Sequence, residues 1–180
     1  MRIGVLRETA PGERRVALTP DAVARLAKRG LAVTVERGAG ESAFHADAAY
    51  ASAGATVTDA ADAESADLVV AVRRPEPRRA EALREGAVLA TDGGDALEAL
   101  NRRRVTLLAL ERVPRITRAQ SMDVLSSQAT VAGYVAVLLG AGQLPRFLPM
   151  LTTAAGSITP ARALVLGAGV AGLQAIATAR

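Results

Sequence analysis

The sequence predicts an α/β fold built on a parallel sheet, and three observations predict it. Aliphatic or β-branched runs without polar alternation recur along the first two-thirds of the chain. Segments with helical spacing of apolar residues separate those runs. Gly, Pro and Asp mark the changeovers. Strands that are apolar on both sides need a cover on both faces, which helices flanking a parallel sheet provide.

Taken in order, Ile3–Leu6 is a buried strand, followed by a polar loop from Arg7 to Arg15. Thr19-Pro20-Asp21 opens a helix, with Thr19 as N-cap and Pro20 at the first position, where its missing N–H costs nothing. Val23, Leu26 and Ala27 form its apolar stripe and Gly30 ends it. Ala32–Val35 is the next strand, and a helix over about Ala46–Ala53 closes at Gly54, with the single histidine, His45, in this helical stretch as a surface or packing residue. Leu68–Val72 is a strand terminated by Pro75 and Pro77. Ala80–Arg84 is a short helix, Val88–Ala90 a strand, Ala96–Arg103 a helix and Val105–Leu110 another buried strand. Beyond Pro114 a long helix runs from about Arg118 to Leu139, broken by Gly140-Ala141-Gly142 and Pro145. A second helical piece, Phe147–Ala155, leads to strand Ala163–Leu166 and a helix from Ala171 onward. The expected division is a domain over 1–140 and, over 141–180, a linker helix with the first βα unit of a second domain. One βα unit cannot cover its own apolar faces, so that second domain reads as truncated. The other reading adds this last unit to the first sheet.

The 180 residues are 50% hydrophobic and 22% charged, which excludes a disordered chain. Aromatics are only 2%, so the core must pack through Ala, Val and Leu. With no cysteine there is no disulfide, thiolate metal site or cysteine nucleophile, and His45 alone excludes a site needing two imidazoles. The net charge of +4 comes from basic residues that, apart from Lys28, are all arginine. Acidic residues interleave with them, and stacking aromatics and a basic stripe are lacking, which argues against nucleic-acid binding. Arg102-Arg103-Arg104 is the one basic run and suits a solvated helix C-terminus. No signal-peptide pattern opens the chain. Residues 124–145 carry no charge, but the dense apolar part, Ala129–Gly142, is short for a bilayer span and reads as a buried helix. The expectation is a cytoplasmic chain without membrane insertion of its own.

Two segments carry chemistry. Gly167-Ala168-Gly169-Val170-Ala171-Gly172 is a G-x-G-x-x-G between a strand pattern and a helix pattern, the setting of a dinucleotide-binding, Rossmann-type turn. Gly167 permits the tight turn, Gly169 lets a pyrophosphate approach the backbone, and Gly172 allows close helix–strand contact. The acidic residue that would hold the ribose hydroxyls falls roughly 20 residues further on, past Arg180, so the choice between NAD and NADP is not legible. In the second segment, Gln120, Asp123 and Ser126 are spaced to form one polar stripe on a helix, with Arg115 in the loop before them. That pattern suits either a claw for a carboxamide and a phosphate, or simple capping, with Thr117 and Gln120 as a capping box and Asp123 matching the helix dipole.

The stretch from Pro114 through Tyr134, with its middle motif Arg118-Ala119-Gln120-Ser121-Met122-Asp123-Val124-Leu125-Ser126-Ser127-Gln128, then Phe147–Ile158 and Arg162–Arg180, resembles the NAD(H)-binding component, the first portion of the alpha subunit, of proton-translocating NAD(P) transhydrogenase. The opening Arg7-Glu8-Thr9 and Gly12-Glu13-Arg14-Arg15-Val16-Ala17-Leu18-Thr19-Pro20 is similar to alanine dehydrogenases of the same superfamily. The resemblance implies a Rossmann-like first domain and an NAD(H)-binding second one. It implies that Gly167, Ala168, Gly169, Val170 and Gly172 cradle the pyrophosphate and Arg115 contacts the nucleotide. Gln120 and Asp123, as the catalytic pair, and Ser126 would orient the dihydronicotinamide for hydride transfer to NADP⁺ on a partner domain. A homodimer docked on a membrane-embedded proton-channel subunit is the implied assembly, with the isolated 180 residues inactive. The amino-acid dehydrogenase alternative needs a histidine where the alignment puts Asp92, and would place Arg15 and Arg73 on substrate. A third alternative is a fragment that folds only its first domain and binds nothing tightly.

Overall fold

The computed structural model describes residues 1–92 and 98–180; of Ala99 only the backbone is described. Their contacts group into two units, Met1–Val113 and Pro114–Arg180.

The first unit alternates strand and helix. It comprises β1 (Arg2–Val5), α1 (Pro20–Ala27), β2 (Ala32–Glu36), α2 (Asp47–Ser52), β3 (Thr56–Thr58), α3 (Ala60–Glu64), β4 (Leu68–Val70), α4 (Pro77–Ala82), β5 (Val88–Thr91), α5 (Glu98–Arg102) and β6 (Thr106–Ala109). The strands pair in parallel in the order β3-β2-β1-β4-β5-β6. The order reverses between β1 and β4, which opens a crevice at the carboxyl ends of those strands. The expected parallel α/β sheet is therefore present.

Register explains the two-sided core. Ile3 and Val5 pair with Val33 and Val35 on one side and with Leu68 and Val70 on the other, so all six share a face with Val23 and Tyr50. Val69 and Leu89 are paired on the opposite face, with Leu83 and Leu100 packed over them. Gly4 lies on that face, where a Cβ would meet the Ala63 carbonyl carbon at 2.9 Å; the missing side chain lets α3 settle on β1. Thr19 caps α1 as expected, its Oγ1 accepting from the Ala22 N–H at 3.4 Å.

Several expectations are corrected. β3 and α3 fall where none was expected; α3 is capped by Asp59, whose side chain accepts from the Asp62 N–H. Pro77 does not end a strand but starts α4 at its first position, where the missing N–H is harmless. His45 lies in the loop before α2, its ring edge-on to Tyr50 at 6.3 Å between centroids, and not within the helix. The predicted helix over 96–103 falls partly outside the described residues, its visible part being α5.

In the second unit a 3-10 helix, Thr117–Met122, precedes α6 (Val124–Gln143). A hairpin of β7 (Leu151–Thr153) and β8 (Gly156–Ile158) replaces the predicted helix over 147–155. The chain closes with α7 (Val170–Ala179). Helix α6 runs through Gly140 and Gly142 and stops only before Pro145. It is long and apolar enough to cross a membrane by length and composition, but a core helix passes the same test. Of its residues only Gly133 is buried, so the reading as a buried helix is corrected too; within its unit it packs chiefly on α7. Residues 163–166, expected as a strand, form no strand and pair with no described strand, and Leu164 and Leu166 are exposed. A parallel strand forms only against a neighbour. The expected division at 140/141 puts the long helix in the first domain, whereas the contacts group it with α7.

Candidate functional site

In the second unit, the glycine turn has the features a pyrophosphate needs. Gly167 sits at φ +104°, a conformation that side chains rarely adopt. A Cβ on Gly172 would meet the Gly167 carbonyl carbon at 3.0 Å and Val165 Cγ1 at 3.4 Å, so helix and turn touch there. Around Gly169 the space is open, with nothing within 4 Å of an added Cβ. Gly169 is also the N-cap of α7, and no side chain caps that helix. The first N–H groups of a helix point outward with a positive dipole end, so this terminus can receive an anionic diphosphate. The turn fits such a group.

The polar segment differs from a single helical stripe. Gln120 is exposed in the 3-10 helix, whereas Asp123 is the N-cap of α6. Asp123 Oδ1 accepts from the Ser126 N–H at 2.9 Å and Oδ2 from the Ser126 hydroxyl at 2.6 Å. These bonds from Ser126, helped by the charge of Arg115, hold the Asp123 carboxyl below its usual range. The stripe is corrected because Asp123 breaks the helix in order to cap it: its ψ of 87° is not helical. Thr117 does not cap the preceding 3-10 helix; Ile116 occupies that position without a side-chain bond. Asp123 and Ser126 are thus joined to each other, and Arg115 and Gln120 stay exposed beside them.

In the first unit, the crevice at the carboxyl ends of β1 and β4 holds a charge cluster that sequence reasoning did not centre on. Glu13 is its hub, with a side chain only 8% exposed. Its carboxylate accepts from Arg15 Nε at 2.8 Å and Nη2 at 2.6 Å, from the Arg15 N–H at 3.0 Å, and from Arg73 Nε at 3.2 Å. Arg73 also pairs with Asp92 at 3.4 Å. The Arg15 bond chiefly drives the Glu13 pKa down to about 2. Glu8 behaves oppositely: burial pushes it up although it accepts N–H groups from Val72 at 2.6 Å and Arg73 at 3.1 Å. An adjoining cavity of about 100 Å³ is lined by Arg7, Thr9, Arg74 and Glu76, among others. No feature of Gly12-Glu13-Arg14-Arg15 distinguishes the hub in sequence, because Arg73 and Asp92 come from the loops after β4 and β5, far along the chain.

The sign of the Glu13 shift gives a pH prediction. A carboxyl with a lowered folded pKa stabilises above its ordinary value of 4.5 and loses that stabilisation as pH falls toward about 2. Urea unfolding followed from pH 6 to 3 should therefore show stability dropping below pH 4.5. In Glu13→Gln that acid limb flattens, because the carboxyl with the large downward shift is gone; Glu8, with its raised pKa, works in the opposite sense, and Asp67 and Asp123 keep only their own share. An unchanged acid limb in the variant would contradict the hub role.

Comparison with known proteins follows the same division. Residues 4–132 match the family model "Alanine dehydrogenase/PNT, N-terminal domain" and residues 136–180 match "Alanine dehydrogenase/PNT, C-terminal domain". The whole chain is 47% identical to the first part of NAD(P) transhydrogenase subunit alpha from Rhodospirillum rubrum, covering 50% of that protein. It is 35% identical to alanine dehydrogenase of Mycobacterium tuberculosis, over 97% of this chain and 49% of that one. The crystal structure of transhydrogenase from Sinorhizobium meliloti superimposes with a TM-score of 0.92 at 47% identity, covering 99% of this chain and 55% of that one. The chain spans about half the length of the curated relatives it matches.

Proposed function

Because this chain belongs to the alanine dehydrogenase/PNT family, we propose that it is the leading portion of the NAD(H)-binding component of a proton-translocating transhydrogenase. The observation that carries this reading is the uncapped N-terminus of α7 behind an open glycine turn, in one unit with Arg115, Gln120, Asp123 and Ser126. Gly167, Ala168, Gly169, Val170 and Gly172 hold the pyrophosphate through backbone N–H groups and the helix dipole. Arg115 adds a positive charge for the phosphates. Gln120 offers an amide to the carboxamide, while Asp123, fixed by Ser126, orients the ring. When bound, NADH supplies a hydride to NADP⁺ on a partner domain. Transfer between two nicotinamides moves no proton at the reacting carbons, so holding and orienting the ring is the main demand on these residues. A homodimer joined to an NADP-binding domain and a proton-channel subunit, on the cytoplasmic face of the membrane, completes the reading.

The amino-acid dehydrogenase alternative is weaker on a specific ground. Arg15 and Arg73, which it would set on the substrate, both engage Glu13, and Arg73 also pairs with Asp92. The test is an assay of the intact protein with its partner domains. NADH-dependent reduction of an NADP⁺ analogue is expected, and alanine-dependent reduction of NAD⁺ is not. Clear turnover of alanine would overturn the assignment.

A further inference from the structure

Helices α6 and α7 meet at one point where no side chain fits. A Cβ on Gly133 would run into the carbonyl of Ala171, 2.9 Å from its carbon and 3.0 Å from its Cα, so backbone rests on backbone there. Gly133 is the one buried residue of α6, on the same helical face as Ser126, Thr130 and Val137, which are half-buried. The opposing contact is Ala171, in the first turn of α7 beside Gly172. That placement matters more than the packing itself. A displacement at Ala171 carries the glycine turn and the first turn of α7 together, because Gly172 rests on the Gly167 carbonyl, and leaves the turn's own geometry intact. Asp123 caps the same α6 ten residues earlier, about 15 Å along the helix axis. One rod therefore carries the polar segment at its start and fixes the turn near its middle.

Resting on the nucleotide-binding reading above, we infer that Gly133 is a positioning residue: the Gly133–Ala171 contact sets the spacing between the glycine turn and the Arg115/Gln120/Asp123 segment. A ligand that engages both places at once depends on that spacing, whereas a ligand that engages only the turn does not. The two halves of a dinucleotide separate these cases. NADH reaches for both regions; ADP carries only the diphosphate and the adenosine.

The test is calorimetric titration of NADH and of ADP into the intact protein and into Gly133→Ala. NADH binding should weaken on the order of tenfold or more while ADP binding changes by less than about twofold. Gly140→Ala, on the same helix with nothing within 4 Å of the added Cβ, should leave both affinities unchanged. Val137→Phe, one turn along the same face, enlarges a half-buried side chain that can still tilt toward solvent. It is the milder wedge and keeps the question answerable if Gly133→Ala does not fold. It should show a smaller NADH loss with the same sparing of ADP. Undiminished NADH binding in a folded Gly133→Ala overturns the inference. So does parallel loss of NADH and ADP, which marks a merely structural role. Absence of NADH binding in the unsubstituted protein is a different failure: it removes the nucleotide-binding reading and this inference with it.

Discussion

Arg79→Met should destabilise the first unit by about 3–5 kcal/mol, the range found when one partner of a buried ion pair is removed. Arg79 lies on α4 with its side chain 15% exposed. Its Nη2 meets Glu36 at 2.6 Å, at the end of β2, and its Nε meets Glu64 at 2.6 Å, at the end of α3. Its Nη1 donates to the Arg7 carbonyl at 3.0 Å, and the Arg7 N–H donates in turn to Glu36 at 2.7 Å. One guanidinium thus ties α4, α3, β2 and the loop after β1. Truncation leaves two carboxylates, at 14% and 9% exposure, without their counter-ion. Arg79→Lys should recover only part of the loss, because a single ammonium lacks the planar fork that reaches two carboxylates and a carbonyl. Adding Glu36→Gln and Glu64→Gln to Arg79→Met should recover a large part, since the cost lies in uncompensated charge rather than in lost attraction. Urea denaturation of the four proteins checks this. A loss below about 1 kcal/mol for Arg79→Met would place the cluster with solvent-screened surface pairs.

That cluster also shows where sequence reading stops. The parallel sheet was legible because each of its main strands is an apolar run long enough to stand out, as in Val88–Thr91 against Leu68–Val70. β3 was not, because Val57 stands between two threonines and makes no apolar run, and its neighbour α3 has only five residues, too few for a helical period to register. Arg79, Glu36 and Glu64 are 15 to 43 residues apart, and nothing local to any of them announces the others. The same holds for Glu13, Arg73 and Asp92.

At the glycine turn the sequence was more informative, because the spacing is itself the geometry: Gly167 at positive φ, Gly169 at the N-cap and Gly172 against the turn. The polar segment was half legible. Its residues were identifiable, but helical spacing was assumed across Asp123, which is a cap. An Asp three residues before a Ser, ahead of a long apolar run, was the available signal. The hairpin over Leu151–Ile158 was missed because Leu-Thr-Thr-Ala-Ala sets strand-favouring Thr beside helix-favouring Ala, and the pairing of Thr152 with Ser157 decides it.

If the turn before α7 grips the diphosphate of NADH, Gly172→Ala disturbs that grip directly. An added methyl must push the helix off the Gly167 carbonyl, displacing Gly169 and the first N–H groups together. NADH titrated into the intact protein should bind on the order of a hundredfold more weakly in the variant, a loss of about 2.7 kcal/mol. ADP should weaken alongside it, because here the diphosphate contact itself is lost. NADH and ADP binding to a folded Gly172→Ala as tightly as to the unsubstituted protein would show that the nucleotide is held elsewhere.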